Sequence, residues 1–315
     1  MNLVKENKLV SVIIPAYNAA DTIIETLNSV YAQTYLDLEV VVINDGSTDN
    51  TLSLLENYPK ILKIISTENK GVSHARKLGF NHASGDYIQY LDADDLLIFN
   101  KIEKQLNALL STNADVAYGD WQKFITQDSQ LLVTEAIVRE MKPDLEISIF
   151  TDFWCPPAAI LYSRRVCSKL EWKENLPIIQ DARYFLDAAI LKATFEYTPG
   201  IMAQYRTAQS QSLSQKSDAN FVKDLFENTK EIHQIWEKDY IDRPDKKQAI
   251  IQSLRHCINR LTVLDKNLAQ EAIQLLLTIV PHYLPPEKGL LRTLSRIIGY
   301  RNAEIIAGMK RMFNS

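Results

Sequence analysis

Apolar segments rich in β-branched residues alternate with amphipathic segments over the first 120 residues, and this alternation restricts the fold more than any other sequence feature. Residues 9–15 (LVSVIIP) and 38–44 (LEVVVIN) are short apolar runs closed by a proline or a turn cluster, which predicts buried strands. Further strands are expected at residues 61–66 and 87–91, with amphipathic helices between them. Strands that alternate with helices predict an α/β fold whose parallel sheet is covered on both faces.

The alternation ends after Gly119, and two further regions follow. Residues 121–214 contain strand-like segments that no longer alternate with helices, which predicts a mixed extension of the sheet. From residue 215 to 315 the apolar residues recur at helical spacing, which predicts a helical C-terminal region. We therefore expect a mostly parallel central sheet within residues 1–214 and helices over residues 215–315.

Overall charge and cysteine content exclude several classes of protein. The net charge of −4 and the pI near 5.8 provide no basic field, so no nucleic-acid partner is expected. The three cysteines are odd in number and widely spaced, which is typical of a reducing compartment rather than of a disulfide framework. No apolar stretch reaches the roughly 18 residues of a membrane span, and residues 1–8 do not resemble a signal peptide. These features predict a cytoplasmic protein.

Polar side chains follow three of the predicted strands. Tyr17 follows the first strand, Asp45 follows the second, and the acidic run Asp92-Ala93-Asp94-Asp95 follows the fourth. In open α/β sheets, ligands bind outside the carboxyl ends of the strands. The three signals are therefore predicted to meet at one edge of the sheet.

The acidic run predicts a site for a divalent cation. Mg²⁺ and Mn²⁺ take carboxylate and phosphate oxygens, and a nucleotide diphosphate needs such a cation to neutralise the charge of the leaving group. Carboxylates at positions i and i+2 after a strand can place one on the metal and the other near the sugar or ribose. The alternative is a solvated acidic turn in which Asp95 or a neighbour caps the next helix.

Residues 44–49 (NDGSTD) form the second signal. Asp45 can accept the imide N–H of uracil, and Gly46 lets the backbone approach the base. The alternative is a helix-capping turn in which Ser47 or Asp49 is the capping residue.

Four segments, residues 10–18, 44–49, 69–76 and 92–95, resemble family 2 glycosyltransferases. The likeness covers residues 9–120 and becomes weaker towards residue 214. It implies the GT-A fold of nucleotide-diphospho-sugar transferases and transfer with inversion. In this interpretation residues 1–214 are the catalytic domain, with a nucleotide-binding half (9–120) and an acceptor-binding half (121–214).

The resemblance also implies roles for individual residues. Asn44 differs from the usual aspartate, whereas Asp45, the base-binding position, is kept. The implied roles are base stacking and flanking for Pro15 and Tyr17, uracil N3 binding for Asp45, nucleotide or phosphate contact for Arg76, ribose or sugar contact for Asp92, and binding of Mg²⁺ or Mn²⁺ for Asp94.

The family's general base usually lies in a Glu-Asp pair at the start of a later helix. This chain has Gln180-Asp181 before an amphipathic run, so the resemblance implies that Asp181 is the base. The alternative is a helix-capping aspartate. Gln209 occupies a position where the family often has a histidine, and Trp154 is either an acceptor platform or a core residue.

These residues predict a glycosyltransferase that moves a sugar from a nucleotide diphosphate donor, a UDP-sugar, onto a hydroxyl of a glycan or glycolipid in polysaccharide or glycoconjugate synthesis. The alternative is a non-catalytic module that binds a sugar nucleotide or a glycan. A nucleotidylyltransferase is disfavoured because no glycine-rich loop follows the first strand, and a dehydrogenase because G-x-G-x-x-G is absent.

The segment 288–315 combines six basic residues and one acid with an apolar stripe. Such a basic amphipathic helix is able to lie on anionic lipid, which would make the protein peripheral on the inner membrane face. The same pattern also suits a helix that covers the core or pairs with a second copy in a homodimer.

Overall fold

The computed structural model of the chain describes residues 8–128, 130–207 and 218–314. The chain divides into two compact units, Met1–Gln209 and Ser210–Ser315. The described part of the first unit contains a sheet and helices, and that of the second contains helices alone.

A nine-stranded mixed sheet organises the described part of the first unit. The strands β1 to β9 are Val10–Ala16, Leu38–Asp45, Lys63–Thr67, Tyr87–Tyr90, Leu96–Leu97, Val116–Gln127, Gln130–Ile137, Ile160–Ser163 and Phe195–Arg206. Their order across the sheet is β3-β2-β1-β4-β8-β6-β9-β5, and β7 pairs with β6. The helices α1 to α7 are Ile23–Tyr31, Thr51–Glu56, Val72–His82, Lys101–Thr112, Leu145–Thr151, Arg164–Cys167 and Gln180–Ile190.

The first four strands are parallel to one another, as the alternating pattern predicts. All seven residues of β1 are buried, which explains its continuous apolar sequence, because a parallel strand is covered on both faces. Helix α3 lies against this strand at Gly79, where an added Cβ would come within 2.3 Å of Ile13 Cγ2. The glycine therefore allows the close approach of helix and sheet.

The second half of the sheet is mixed, as expected. Strand β8 is antiparallel to β4 and to β6, whereas β9 runs parallel to β6 over most of its length. Strand β6 continues to Gln127, past Gly119, where the alternation in the sequence ends. Residue 120 thus lies within a strand, so the two proposed halves of the first unit share one sheet. The α/β fold class with a mostly parallel sheet is confirmed.

Five α-helices and one short 3-10 helix lie in the described part of the second unit. The α-helices are α8 to α12, at Asp218–Trp236, Pro244–Leu264, Lys266–Ile279, Leu290–Ile298 and Tyr300–Asn314. Their core includes Phe226, Trp236, Leu254, Ile258 and Leu276, all nearly inaccessible to solvent. Within the residues that the structure describes, no helix is long and apolar enough to cross a membrane.

Candidate active site

The carboxyl ends of β2, β1 and β4 lie side by side at one edge of the sheet. Asp45 is the last residue of β2, Tyr17 directly follows β1, and residues 92–95 follow β4. The chain runs from β1 to β2 on one side of β1 and returns to β4 on the other. This is the switch point at which open α/β sheets bind ligands. The predicted meeting of the three polar signals is observed.

Asp45 is a buried carboxylate that organises the neighbouring loop. Its two oxygens accept the backbone N–H groups of Lys70 at 3.0 Å and Gly71 at 2.9 Å. Gly46, with a φ of 72°, leaves room for this loop, because an added Cβ would lie 2.6 Å from the Asn69 nitrogen. The sequence did not indicate that Gly46 allows the loop at residues 69–71 to pack this closely. A carboxylate has about four acceptor positions, so two stay open for a further donor.

The loop after β1 places one aromatic ring in solvent. Pro15 is buried in the strand, whereas Tyr17 is 49% exposed. Asn18 ties this loop to the loop after β2, because its side-chain oxygen accepts the Thr48 N–H at 2.8 Å and its own N–H donates to Ser47 Oγ at 3.1 Å. The exposed ring of Tyr17 therefore stands on a fixed backbone near Asp45.

A buried arginine connects the acidic run after β4 to the start of α7. Arg76, only 1% exposed, donates to Asp92 and to the side-chain oxygen of Gln180, and its guanidinium lies 4.6 Å from the ring centre of Trp172. A charge buried this deeply is stable only when it is paired and hydrogen-bonded. The sequence placed Arg76 near the nucleotide, but it gave no signal for the contacts with Gln180 and Trp172.

The acidic run contains two carboxyl groups whose pKa values are raised. Burial and the charge of Asp92 raise the pKa of Asp94 to about 6. The pKa of Asp95 is also raised, first by burial and then by the other two acids. Asp95 accepts the backbone N–H of Arg206 at 2.9 Å, and its buried Oδ2 has no hydrogen-bond partner within the described part of the chain. It does not cap a helix, because α4 begins only after Asn100.

These oxygens suit a hard divalent cation. Among the described residues, no group of three or more His, Cys, Asp or Glu side chains is placed to hold a metal ion. Mg²⁺ needs fewer protein ligands than that when phosphate oxygens and water complete its shell. The half-buried Asp94 offers a carboxylate oxygen of the kind that such a cation takes.

Asp181 lies at the start of α7, next to Gln180. One carboxylate oxygen accepts the indole N–H of Trp154 at 3.0 Å, and the other accepts the Ala182 N–H at 2.8 Å. Burial raises the pKa of Asp181, and the charge of Arg76 opposes the increase. No ion pair of Asp181 occurs among the described residues, so its carboxylate is oriented by neutral donors.

Two aromatic side chains, those of Trp121 and Tyr205, pack against Trp154. Its ring centre lies 5.1 Å from that of Trp121 and 5.3 Å from that of Tyr205, with the rings nearly perpendicular. Trp154 is half-buried, so it is packed on one side and accessible on the other. Its indole also holds the carboxylate of Asp181, a role that the sequence did not suggest.

The structure thus brings the predicted site residues into two linked groups. Pro15, Tyr17, Asp45 and Asp94 lie at the ends of β1, β2 and β4, and Arg76 joins Asp92 to the helix that carries Asp181. Gln209 and residues 210–212 lie outside the described residues.

Two solved structures with the same architecture contain sugar nucleotides. The structure of Staphylococcus aureus TarS 1–349 with UDP-GlcNAc superposes with a TM-score of 0.69 and 19% identity, over 95% of this chain and 89% of that one. The mannosyltransferase PcManGT of Pyrobaculum calidifontis, with GDP-Man and Mn²⁺, gives a TM-score of 0.56 at 17% identity, over 98% and 88% of the two chains. The likeness confirms the GT-A fold with a helical extension.

Sequence relatives match a part of the chain. The Escherichia coli UDP-Glc:alpha-D-GlcNAc-diphosphoundecaprenol beta-1,3-glucosyltransferase WfgD is 40% identical over 119 residues, which are 37% of this chain and 47% of WfgD. The glycosyltransferase GlyA of Streptococcus pneumoniae is 34% identical over 118 residues, 36% of this chain and 17% of GlyA. The matches therefore span less than half of each relative.

A model of the family described as glycosyl transferase family 2 matches residues 11–170, which is about half of the chain. The matched range includes β1, the acidic run and Trp154. The predicted family is therefore confirmed, and the chain belongs to glycosyl transferase family 2.

Proposed function

We propose that the protein transfers a sugar from a UDP-sugar to an acceptor hydroxyl with inversion at the anomeric carbon, in the synthesis of a glycan or glycoconjugate. One observation carries the proposal: buried Arg76 contacts Asp92 and also Gln180, the neighbour of Asp181. A donor-side acid and a carboxylate suited to act as base are therefore linked through one side chain. TarS was solved with UDP-GlcNAc and WfgD is named for UDP-Glc, which supports a UDP-sugar donor.

In this proposal, residues 9–120 bind the sugar-nucleotide donor. Tyr17 stacks on the uracil beside Pro15. Asp45 accepts the uracil N3–H with one of its carboxylate oxygens, which also accepts a backbone N–H of Lys70 or Gly71. Arg76 lies towards the phosphates and Asp92 towards the ribose or sugar. Asp94 would hold Mg²⁺ or Mn²⁺, which when bound neutralises charge on the diphosphate leaving group.

Asp181 is the general base of this mechanism. The acceptor oxygen attacks the anomeric carbon as the bond from that carbon to the diphosphate oxygen breaks, and Asp181 takes the hydroxyl proton. Trp154 and the Ala182 N–H orient the carboxylate without neutralising it. The non-catalytic alternative is not favoured, because a binding module has little use for an aligned base.

Residues 121–214 form the acceptor side of the proposal. The exposed side of Trp154 offers an apolar face of the kind on which a sugar ring stacks. The relative WfgD is named for a diphosphoundecaprenol-linked substrate, which supports a lipid-linked glycan as acceptor. We propose accordingly that the protein works at the inner face of the membrane as a peripheral protein.

The function is tested by a screen of nucleotide sugars for release of the nucleotide in the presence of Mn²⁺ or Mg²⁺. UDP-sugars are expected to be turned over in preference to GDP-sugars, and calorimetry is expected to show tighter binding of UDP than of GDP or CDP. Asp45→Ala should abolish this preference because it removes the acceptor for uracil N3–H. Glu68→Ala, which removes an exposed carboxylate nearby, is the matched control. Equal affinity of the wild type for all three nucleotides would contradict the assignment of Asp45.

A second variant tests whether Gln180 tunes the base. Asp181 is faced by the charges of Arg76, which lowers its pKa, and of Asp92, which raises it. Gln180→Glu would add a carboxylate on Arg76, so we expect the pKa of Asp181 to rise and the acid limb of kcat/KM to move up by about one pH unit. The base works only when deprotonated, so activity at acidic pH should fall.

The control for this variant is Gln180→Ala, which removes the hydrogen bond to Arg76 and adds no charge. Its turnover should decrease without an upward shift of the acid limb. Identical pH profiles for Gln180→Glu and the wild type would show that residue 180 does not influence the base.

A further inference from the structure

Helix α11 exposes the side that its sequence makes apolar. Five of its nine residues are leucine or isoleucine and lie within one face of the helix. Leu290 is 64% exposed and Ile297 is 73% exposed, whereas the buried residue of the helix is the polar Ser295. A helix that served only to cover the core of its own unit would show the reverse pattern.

Helix α12 continues the exposed apolar surface. Ile305, Ile306 and Met309 are 42%, 46% and 53% exposed, while Tyr300 and Ala303 on another side of the helix are buried. The exposed residues therefore point away from the packed side of the helix.

The orientation of α12 is fixed by a buried carboxylate. Glu304, at 0% exposure, accepts from Arg255 at 3.2 Å and from Arg311 at 2.5 Å. Arg311 also donates to Thr262 of α9 at 2.8 Å. A paired, hydrogen-bonded charge at this depth would be costly to pull apart. These polar contacts fix the rotation of α12, so its apolar side chains stay on the solvent-exposed face.

A groove of about 640 Å³ lies between α9, α11 and α12. Its apolar lining includes Val263, Leu264, Leu291, Leu294 and Ile306. Asp218 also lines it and pairs with Arg260, whereas Lys310 and Arg311 place positive charge beside the apolar surface. The groove therefore combines apolar and charged residues, as the two helices do.

The exposed charged residues of the segment 288–314 are all basic. The segment 288–314 contains six basic residues, and its single acid, Glu304, is buried and paired. Arg296, Arg301 and Lys310 are exposed. A strongly basic surface within a chain of net charge −4 is a local feature rather than a consequence of composition.

We propose that this surface docks on an anionic lipid bilayer. The C-terminal face consists of the exposed apolar residues Leu290, Ile297, Ile298, Ile305, Ile306 and Met309 and the basic residues of the same two helices. Its apolar side chains enter the boundary between headgroups and acyl chains, and its basic side chains pair with lipid phosphates. The inference deepens the peripheral location proposed above by naming the surface and the lipid chemistry.

Charge decides between lipid and a second copy of the chain as the occupant. In a symmetric dimer built on the C-terminal face, the same surface patch meets itself. The basic residues of one copy would then lie against those of the other, which is unfavourable. An anionic bilayer matches both the apolar and the basic parts of the face.

The test is co-sedimentation of the full chain with vesicles. We expect binding to phosphatidylglycerol–phosphatidylcholine vesicles at low salt, weaker binding at high salt, and little binding to pure phosphatidylcholine. The double variant Arg296→Glu/Lys310→Glu should lose at least about tenfold in affinity. Ile297→Ser/Met309→Ser should also lose about tenfold, because it removes inserted apolar surface.

The matched controls are Lys238→Glu and Ile241→Ser, which change exposed residues of the second unit outside the C-terminal face. Both controls should bind like the wild type. UDP affinity is measured on every variant, so a failure of vesicle binding is separable from a failure of the proposed sugar transfer. No wild-type binding to anionic vesicles at low salt would overturn the inference, as would a wild-type dimer that Ile297→Ser/Met309→Ser dissociates.

Discussion

Asp181→Asn is expected to lower sugar transfer by roughly 10²- to 10⁴-fold while the affinity for UDP-sugar stays close to that of the wild type. The amide keeps the size of the side chain but does not take the proton of the acceptor hydroxyl. Donor binding should persist because Asp181 touches Trp154 and its own helix start rather than the residues assigned to the nucleotide. The measurement is steady-state transfer to the acceptor together with calorimetry of UDP.

Two further variants make this result specific. Glu174→Gln removes an exposed carboxylate shortly before α7 and should leave transfer unchanged. Trp154→Phe keeps the ring but removes the N–H that orients Asp181, so its loss of transfer should be smaller than that of Asp181→Asn. Near-normal transfer by Asp181→Asn would mean that another group takes the proton, and the assignment of Asp181 would be abandoned.

Asp94→Ala is expected to abolish the part of UDP binding that depends on Mg²⁺ or Mn²⁺. A cation that is coordinated by one or two carboxylates plus phosphate oxygens loses most of its binding to the protein when the coordinating carboxylate is removed. UDP affinity of the variant with metal should therefore equal that of the wild type in EDTA. Calorimetry with and without metal measures both quantities.

Asp92→Ala should behave differently from Asp94→Ala. It should weaken UDP binding less and lower the melting temperature more, because Arg76 would be left buried with only a neutral partner. Asp86→Ala, which changes an exposed acid just before β4, should alter neither property. Full metal-dependent affinity in Asp94→Ala would place the metal at another site.

Sequence pattern alone was sufficient for the first half of the sheet. Periods of two and of 3.6 residues identify strands and helices, and alternation of the two types requires parallel strands. Because carboxyl ends of parallel strands share one edge, the approach of Tyr17, Asp45 and Asp92 followed from their positions just after strands. The course of β6 beyond Gly119 did not follow from the sequence, since a strand that pairs with different partners along its length has no clean alternation.

Contacts between distant segments were decided only by the tertiary structure. Arg76 and Gln180 are 104 residues apart, and Asp95 meets the backbone of Arg206 across 111 residues. Trp154 carries no sign in its sequence neighbourhood that it holds Asp181. Local periodicity specifies which face of a helix or strand is apolar, but not which other helix or strand that face packs against. That choice depends on how the remaining elements fill the space, which is also why the apolar side of α11 lies in solvent rather than in the core.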